Sequence, residues 1–228
     1  MTRGFISTLL LLLLFSLDVS SQCTHWFPFN EGSTFEYTFF SKKDKQTGRV
    51  SYVVSEVTKQ GGNFTAEVDA TFFDKKDKNY NEFSFQVECV GGTYRANVSN
   101  FINPTLTESF GSMEVNYSGD DLVMPKELQV GMELPDANST MQAEMGIMNI
   151  KMEMRITGRK VIDKVQITTP IKTFETYKIT AQEHIKMTML NRTSSSTYFY
   201  AEGYGQVKSE TYDKNGKLSG YMLLTKFE

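Results

Sequence analysis

Residues 174–190 read FETYKITAQEHIKMTML and alternate in character along most of their length. Tyr177, Ile179, Ala181, Ile185, Met187 and Met189 share one face, and Lys178, Thr180, Gln182, His184 and Lys186 share the other. Alternation of this kind is the mark of a half-buried β-strand. The run far exceeds the usual strand of about five or six residues, so it must curve strongly. Glu183 interrupts the apolar face and predicts a bulge or an open rim at that point.

The same pattern extends outward in both directions. Ser33–Ser41, Arg49–Val57, Phe64–Phe73, Tyr80–Val90 and Thr93–Val98 read as strands before the central region. Met148–Ile156, Lys160–Thr169, Gln206–Asp213 and Leu218–Phe227 read as strands after it. Connections such as KQGGN and VGG are short, which favours consecutive hairpins over crossovers. Asn215-Gly216 between the last two strands is a strong hairpin signal. Long antiparallel strands with one apolar face must roll up to bury it. The expected fold is therefore mainly β, an antiparallel meander rolled into an open or half barrel. One short helix is expected where Asn103 can cap and Pro104 can open it, stopping at Gly111. Residues 22–228 are expected to form a single β domain, with two sub-halves meeting near the turn-rich stretch 119–135.

Residues 38–45 (TFFSKKDK) and 71–78 (TFFDKKDK) are nearly identical octets. They read as two similar hairpin tips with solvated charges, or else as a paired recognition loop.

The first residues direct the chain to export. Arg3 precedes an apolar run, Phe5–Phe15, that is too short to span a bilayer as a helix, and a polar stretch with Val19 and Ser21 follows. Cleavage before Gln22 is expected, so residues 1–21 form a signal peptide. Lipidation at Cys23 is the rival outcome. The mature chain has no further segment apolar enough to anchor it, and the expected location is periplasmic or extracellular.

After cleavage Cys23 and Cys89 are the only cysteines. In an oxidising compartment a single pair usually forms a disulfide. It would close a loop of about 65 residues, for which chain entropy gives roughly 4 kcal/mol. Two free thiols are the other outcome. Five Asn-x-Ser/Thr sequons, at Asn63, Asn97, Asn116, Asn138 and Asn191, would matter only in a glycosylating host.

Composition narrows the function classes. Lys and Arg total 24 against 27 Asp and Glu, a formal net charge of −3, which argues against general nucleic-acid binding. Only two histidines, His25 and His184, are available, and both read as solvated. No G-x-S-x-G, H-E-x-x-H, P-loop or G-x-G-x-x-G occurs. No enzyme activity, metal or cofactor is expected.

Methionine is the compositional oddity, with 12 residues. Met141, Met145, Met148, Met152, Met154, Met187 and Met189 cluster in two runs. Three readings compete: an adaptable cavity for an apolar ligand, Cu(I) binding through thioethers, or plain core filling. Copper would want nearby His or Cys, which are lacking. The candidate ligand-binding residues are Met145, Met148, Met152, Met154, Met187 and Met189. The expected partners are a hydrophobic small molecule or lipid, or an envelope protein.

Three stretches carry a family likeness: Arg159-Lys160-Val161, Thr168–Ile179, and Gly203–Leu218 with its G-x-V-K-S-E-x-Y-D-x-x-G-K ending. The start, with Gln22-Cys23, Phe27-Pro28-Phe29 and Glu31–Glu36, is similar too. Together they resemble the TapB-like family of exported domains from Bacteroides-type bacteria. The sequence departs at Ile171-Lys172, where that family tends to have Ala-Gly. The resemblance implies export from a bacterial cell, where the sequons carry no meaning, and a rolled antiparallel sheet. By analogy that sheet looks like the half-barrels of periplasmic lipoprotein carriers, which hold acyl chains on a concave face. It supplies no catalytic residues. The expected role is a non-catalytic envelope domain binding an apolar ligand. The alternative is a structural or interaction module with a fully packed core.

Overall fold

The computed structural model describes residues 25–97, 115–145, 148–187 and 190–228. The export signal, Gln22, Cys23 and the helix expected after Asn103 lie outside the described residues, among which there is no helix. The strands are β1 (Thr34–Ser41), β2 (Gln46–Gln60), β3 (Asn63–Asp74), β4 (Asn79–Val90), β5 (Thr93–Asn97), β6 (Val115–Gly119), β7 (Asp121–Met124), β8 (Ala137–Met145), β9 (Met148–Thr168), β10 (Thr173–Met187), β11 (Leu190–Ala201), β12 (Gly205–Tyr212) and β13 (Leu218–Phe227).

All join one antiparallel sheet in the order β6-β8-β9-β10-β11-β12-β13-β1-β2-β3-β4-β5-β7. The two edges, β6 and β7, are separated in the chain by Asp120 alone. Residues 115–124 thus run along one path, pairing first with β8 and then with β5. The meander becomes a nearly closed barrel with one unsealed seam. Gly119 makes the change of partner: its φ is +144°, and a Cβ there would lie 2.2 Å from the Asn138 carbonyl oxygen. No residue with a side chain fits that approach.

The inward row follows from the pleat. Val50, Val54, Val68, Val87, Val161, Val207 and Leu224 are fully buried. Met148–Ile156 and Lys160–Thr169, expected as separate strands, are one strand, β9. The register between β9 and β10 slips near Gly158, whose φ is +61°, as it must where a bulge inserts residues. Before the slip Met152, Met154 and Ile156 are buried; after it, Arg159 and Val161 are. The bulge therefore turns a cation inward. The register at Glu183 itself is continuous. Its carboxylate is accommodated by accepting a hydrogen bond from the Tyr198 hydroxyl.

Arg159, only 3% exposed, closes the lower part of the seam. One guanidinium nitrogen donates to the carbonyls of Val123, at 3.0 Å, and Pro135, at 2.9 Å. The other lies 3.1 Å from the Met124 sulfur. Residues 131–134 pair with β9 beside it, through Gly131 N–H to Val161 O and Leu134 N–H to Arg159 O.

The other closure is an aromatic plug. Trp26, Phe27 and Phe29 are buried. Trp26 packs edge-on against Tyr177 and Tyr200, with Nε1 donating to Pro125 O at 2.7 Å. Phe27 meets Phe35 and Tyr94, and Phe29 meets Phe64. The segment thus ties strands on opposite sides of the barrel. Gly205, at φ +75°, is what lets it lie there, because a Cβ would sit 2.5 Å from the Trp26 carbonyl oxygen.

Replacing Arg159 by Ala leaves two interior carbonyls without their donor. We expect a loss of roughly 2–4 kcal/mol in urea unfolding. Arg159→Lys should recover only part of it, since an ammonium does not reproduce the planar fork.

Candidate functional site

The two ends of the barrel differ. The plug fills the end that carries the β2–β3, β4–β5 and β11–β12 connections. At the opposite end, inward-facing apolar side chains are only half-buried. They include Phe39 of β1, Phe83 and Phe85 of β4, Ile185 and Met187 of β10, and Met222 of β13. We call this end the mouth; partial exposure of inward residues is not confined to it, since Val57, in register with fully buried Ala66, is half-buried toward the plugged end.

The methionines converge on that end. Met141, Met152 and Met187 are aligned across β8, β9 and β10, and Met154 lies opposite Ile185. Met141 and Met152 are each 1% exposed and Met154 is 6% exposed, whereas Met187 is half-buried. Met145 and Met148 are register partners at the far end of the β8–β9 pair. Their side chains, and Met189 altogether, lie outside the described residues.

Deeper in, the lining turns polar. The Ser139 and Ser196 hydroxyls are buried with no hydrogen-bond partner among the described residues. Ser194 is buried in the same row, opposite Glu183. Below this belt lie Tyr37, Tyr52, Tyr94 and Tyr200. Burial pushes the phenols of all four, and of Tyr198, above the usual tyrosine range. Desolvation likewise pulls the buried Arg159 guanidinium down, with Tyr200 opposing that shift. The tyrosines are therefore neutral and serve as packing and hydrogen-bond donors. Tyr37, for example, donates to Gln206 O at 2.8 Å.

Two surface clefts are more polar. One of about 300 Å³ is bordered by Lys164, Lys172, Phe174, Tyr177 and Tyr204, and one of about 380 Å³ by Asn138, Glu153, Met154 and Arg155. Among the described residues no group of three His, Cys, Asp or Glu could hold a metal. His184 meets the Thr193 hydroxyl at 2.9 Å on the outer face, and His25 belongs to the plug, with Nδ1 buried and unpaired. Cys89 is fully buried between Phe64 and Tyr94 in the register, and Cys23 lies outside the described residues.

The DUF3108-like family profile matches residues 30–224. The chain belongs to the DUF3108-like family. Two crystal structures share the fold of this DUF3108-like chain. One is a protein of Bacteroides fragilis NCTC 9343, taken to be exported, with a YmcC-like fold. It is 18% identical, with a TM-score of 0.77, covering 90% of this chain and 100% of that one. The other, from Parabacteroides distasonis ATCC 8503, is taken to be a lipoprotein. It is 21% identical, with a TM-score of 0.76, covering 90% and 99%. A comparison with curated proteins gives no match. No helix among the described residues of this DUF3108-like chain is long and apolar enough to cross a membrane.

The plug and the mouth were not legible as such in the sequence. The W-F-P-F run at 26–29 is a signal of the plug, since three aromatics in four residues need burial. The buried tyrosines allow an alkaline test. Phenols whose folded pKa exceeds their unfolded value stabilise the fold below about pH 10 and withdraw that stability as the pH rises. Tyr212, pushed up to about 12 by desolvation and its bond to Glu210, and Tyr221, raised by desolvation and its bond to Asp44, also ionise later than a free phenol. The five buried ones should ionise in one later step that coincides with loss of the circular-dichroism signal.

Proposed function

We propose that the chain is an exported, non-catalytic domain of the cell envelope that binds an apolar ligand, a lipid or acyl chain, in the open end of the barrel. The observation that carries this reading is the half-exposure of inward-facing Phe39, Phe83, Phe85, Ile185, Met187 and Met222 at one end, while the other end is filled. Met152, Met154 and Met187 supply flexible, polarizable walls that suit chains of variable shape, and Met145, Met148 and Met189 belong to the same proposed set. The unpartnered Ser139 and Ser196 hydroxyls offer polar contacts deeper in. The likeness to the TapB-like family of exported domains supports the location, as do the two relatives taken to be an exported protein and a lipoprotein. The near-complete burial of Met141, Met152 and Met154 favours the alternative, a structural or interaction module whose methionines are core.

The difference in burial between the register partners Met152 and Met187 separates the two readings. Met187→Asp should keep the circular-dichroism spectrum and lose the adduct seen in native mass spectrometry of protein taken from its own envelope fraction. Met152→Asp should unfold, because an unpaired buried charge is not tolerated. An adduct-free wild-type protein would favour the packed module.

The same reading includes a Cys23–Cys89 disulfide fastening the plug. Cys89 lies between Phe64 and Tyr94, the rings on which Phe29 and Phe27 rest, and Cys23 is two residues before His25. The denatured protein should be lighter by two hydrogens than its reduced form, and reduction should lower stability by roughly 2–4 kcal/mol. An acylated Cys23 would rule the bond out.

A further inference from the structure

We propose that three hairpin tips around the mouth form a basic rim that docks the barrel, open end first, on a bilayer surface containing anionic phospholipid. The tips are residues 41–45 (SKKDK), 74–78 (DKKDK) and 213–217 (DKNGK). They share one geometry. The first residue's N–H donates to the carbonyl of the fifth, at 2.9, 3.0 and 2.9 Å. Its side-chain oxygen accepts from the N–H groups of the third and fifth. The fourth residue, Asp44, Asp77 or Gly216, has positive φ.

These tips join β1–β2, β3–β4 and β12–β13, which are neighbours in the sheet. Antiparallel pairing of β13 with β1, Ser41 opposite Gly220, brings all three to the same end, the end of the mouth. Eight lysines stand on them: Lys42, Lys43, Lys45, Lys75, Lys76, Lys78, Lys214 and Lys217, all exposed and none in an ion pair among the described residues. The four aspartates of the tips are engaged internally. Asp74 and Asp213 cap their own loops, Asp77 accepts from Arg49 Nε at 2.6 Å, and Asp44 accepts from the Tyr221 hydroxyl at 3.0 Å. The rim therefore presents eight lysines against four aspartates, of which Asp77 is paired with Arg49, on a chain whose formal net charge is −3. At the plugged end the Gly61-Gly62 and Gly91-Gly92 tips carry no charge, and the β9–β10 and β11–β12 connections carry Lys172 and Glu202.

A flat anionic surface fits this arrangement better than a single anion. The lysines are spread over the tips of six adjacent strands, a width of roughly 25 Å at the usual strand spacing. No one pocket gathers them. Each basic residue near an anionic leaflet tightens binding by about five-fold, and salt screens the effect. Docking this way aims the apolar mouth at the acyl chains. The docking itself does not require that a ligand be bound.

The test is co-sedimentation of the mature protein with vesicles of phosphatidylcholine, alone or mixed equally with phosphatidylglycerol. Binding to the mixed vesicles only, weakened by added salt, is expected. Lys43→Glu/Lys76→Glu/Lys214→Glu, one change per tip, should reduce it at least a hundred-fold while keeping the circular-dichroism spectrum and any native adduct. Lys59→Glu/Lys160→Glu/Lys226→Glu changes the net charge equally away from the rim and should keep most of the binding. Equal binding to both vesicles, equal loss in both triple variants, or no binding at all would overturn the proposal. So would capture by polyglutamate with no vesicle binding, which would give the rim to an acidic protein instead. Loss of the native adduct with vesicle binding intact would count against the ligand reading alone.

Discussion

The guanidinium of Arg159 stands where the sheet runs out of strands. A rolled meander ends in two edges, and an unpaired edge leaves carbonyls facing the interior or inviting another chain. Here β7 pairs with β5 on one side only. On its other side the carbonyls of Val123 and Pro125, two residues apart and so on the same side of the strand, accept from Arg159 and from Trp26 Nε1. Two side chains, Arg159 from the far strand β9 and Trp26 from the segment before β1, thus replace a missing neighbour. Burying a cation among carbonyls and a thioether costs solvation. The charge stays because several oriented dipoles meet it, and because removing it would strand them. Proline at 125 suits the same edge, since no ladder partner there needs its N–H.

Closing the barrel in this way makes its two ends unequal. The plug's Trp26 and Phe27 reach opposite walls, so the lower half is held across as well as around. Buried phenols fill the space above it, and their neutral state keeps that region free of charge to be paired. Among the described residues nothing comparable crosses the barrel near Met187 and Phe83, where side chains of the inward row remain partly exposed. An end that is rigid and filled, opposite one that is adaptable and half-open, is a consequence of where the N-terminus lies rather than of strand composition.

Much of this architecture was legible where alternation was clean. Leu218–Phe227 and Tyr80–Val90 read directly as β13 and β4, and the long run 174–190 gave β10 with its inward face. Reading failed where inward positions are small and polar. β11 begins with Asn191, Arg192, Thr193 and three serines, so Ser194 and Ser196 give no apolar signal although both are buried. β6 and β7 are too short to show a period, and Gly119-Asp120 between them read as a turn because a strand that changes partner needs the same glycine a turn does. Arg159 could not be read as interior, since only the bulge at Gly158 reverses the alternation and turns it inward. Of the site, the methionine cluster was visible; its division into buried Met152 and half-buried Met187, register partners on adjacent strands, depends on what packs over each side chain, which a pattern of faces does not encode.

The paired octets illustrate the same limit from the charged side. In sequence, S-K-K-D-K and D-K-K-D-K look like solvated loops with mixed charge, and the hairpin-tip reading describes their backbone correctly. Three dimensions change the electrostatic sense. A loop of this shape needs an acceptor at its first position and tolerance of positive φ at its fourth, and Ser, Asp and Gly meet those needs for reasons of backbone geometry. The acids are consumed by the turn and by Arg49 and Tyr221, whereas the lysines have no structural duty. The three tips together still carry eight lysines against four aspartates, one of which is paired with Arg49. With the third tip, D-K-N-G-K, brought alongside by the pairing of β13 with β1, the surplus adds up around the end of the barrel opposite the plug.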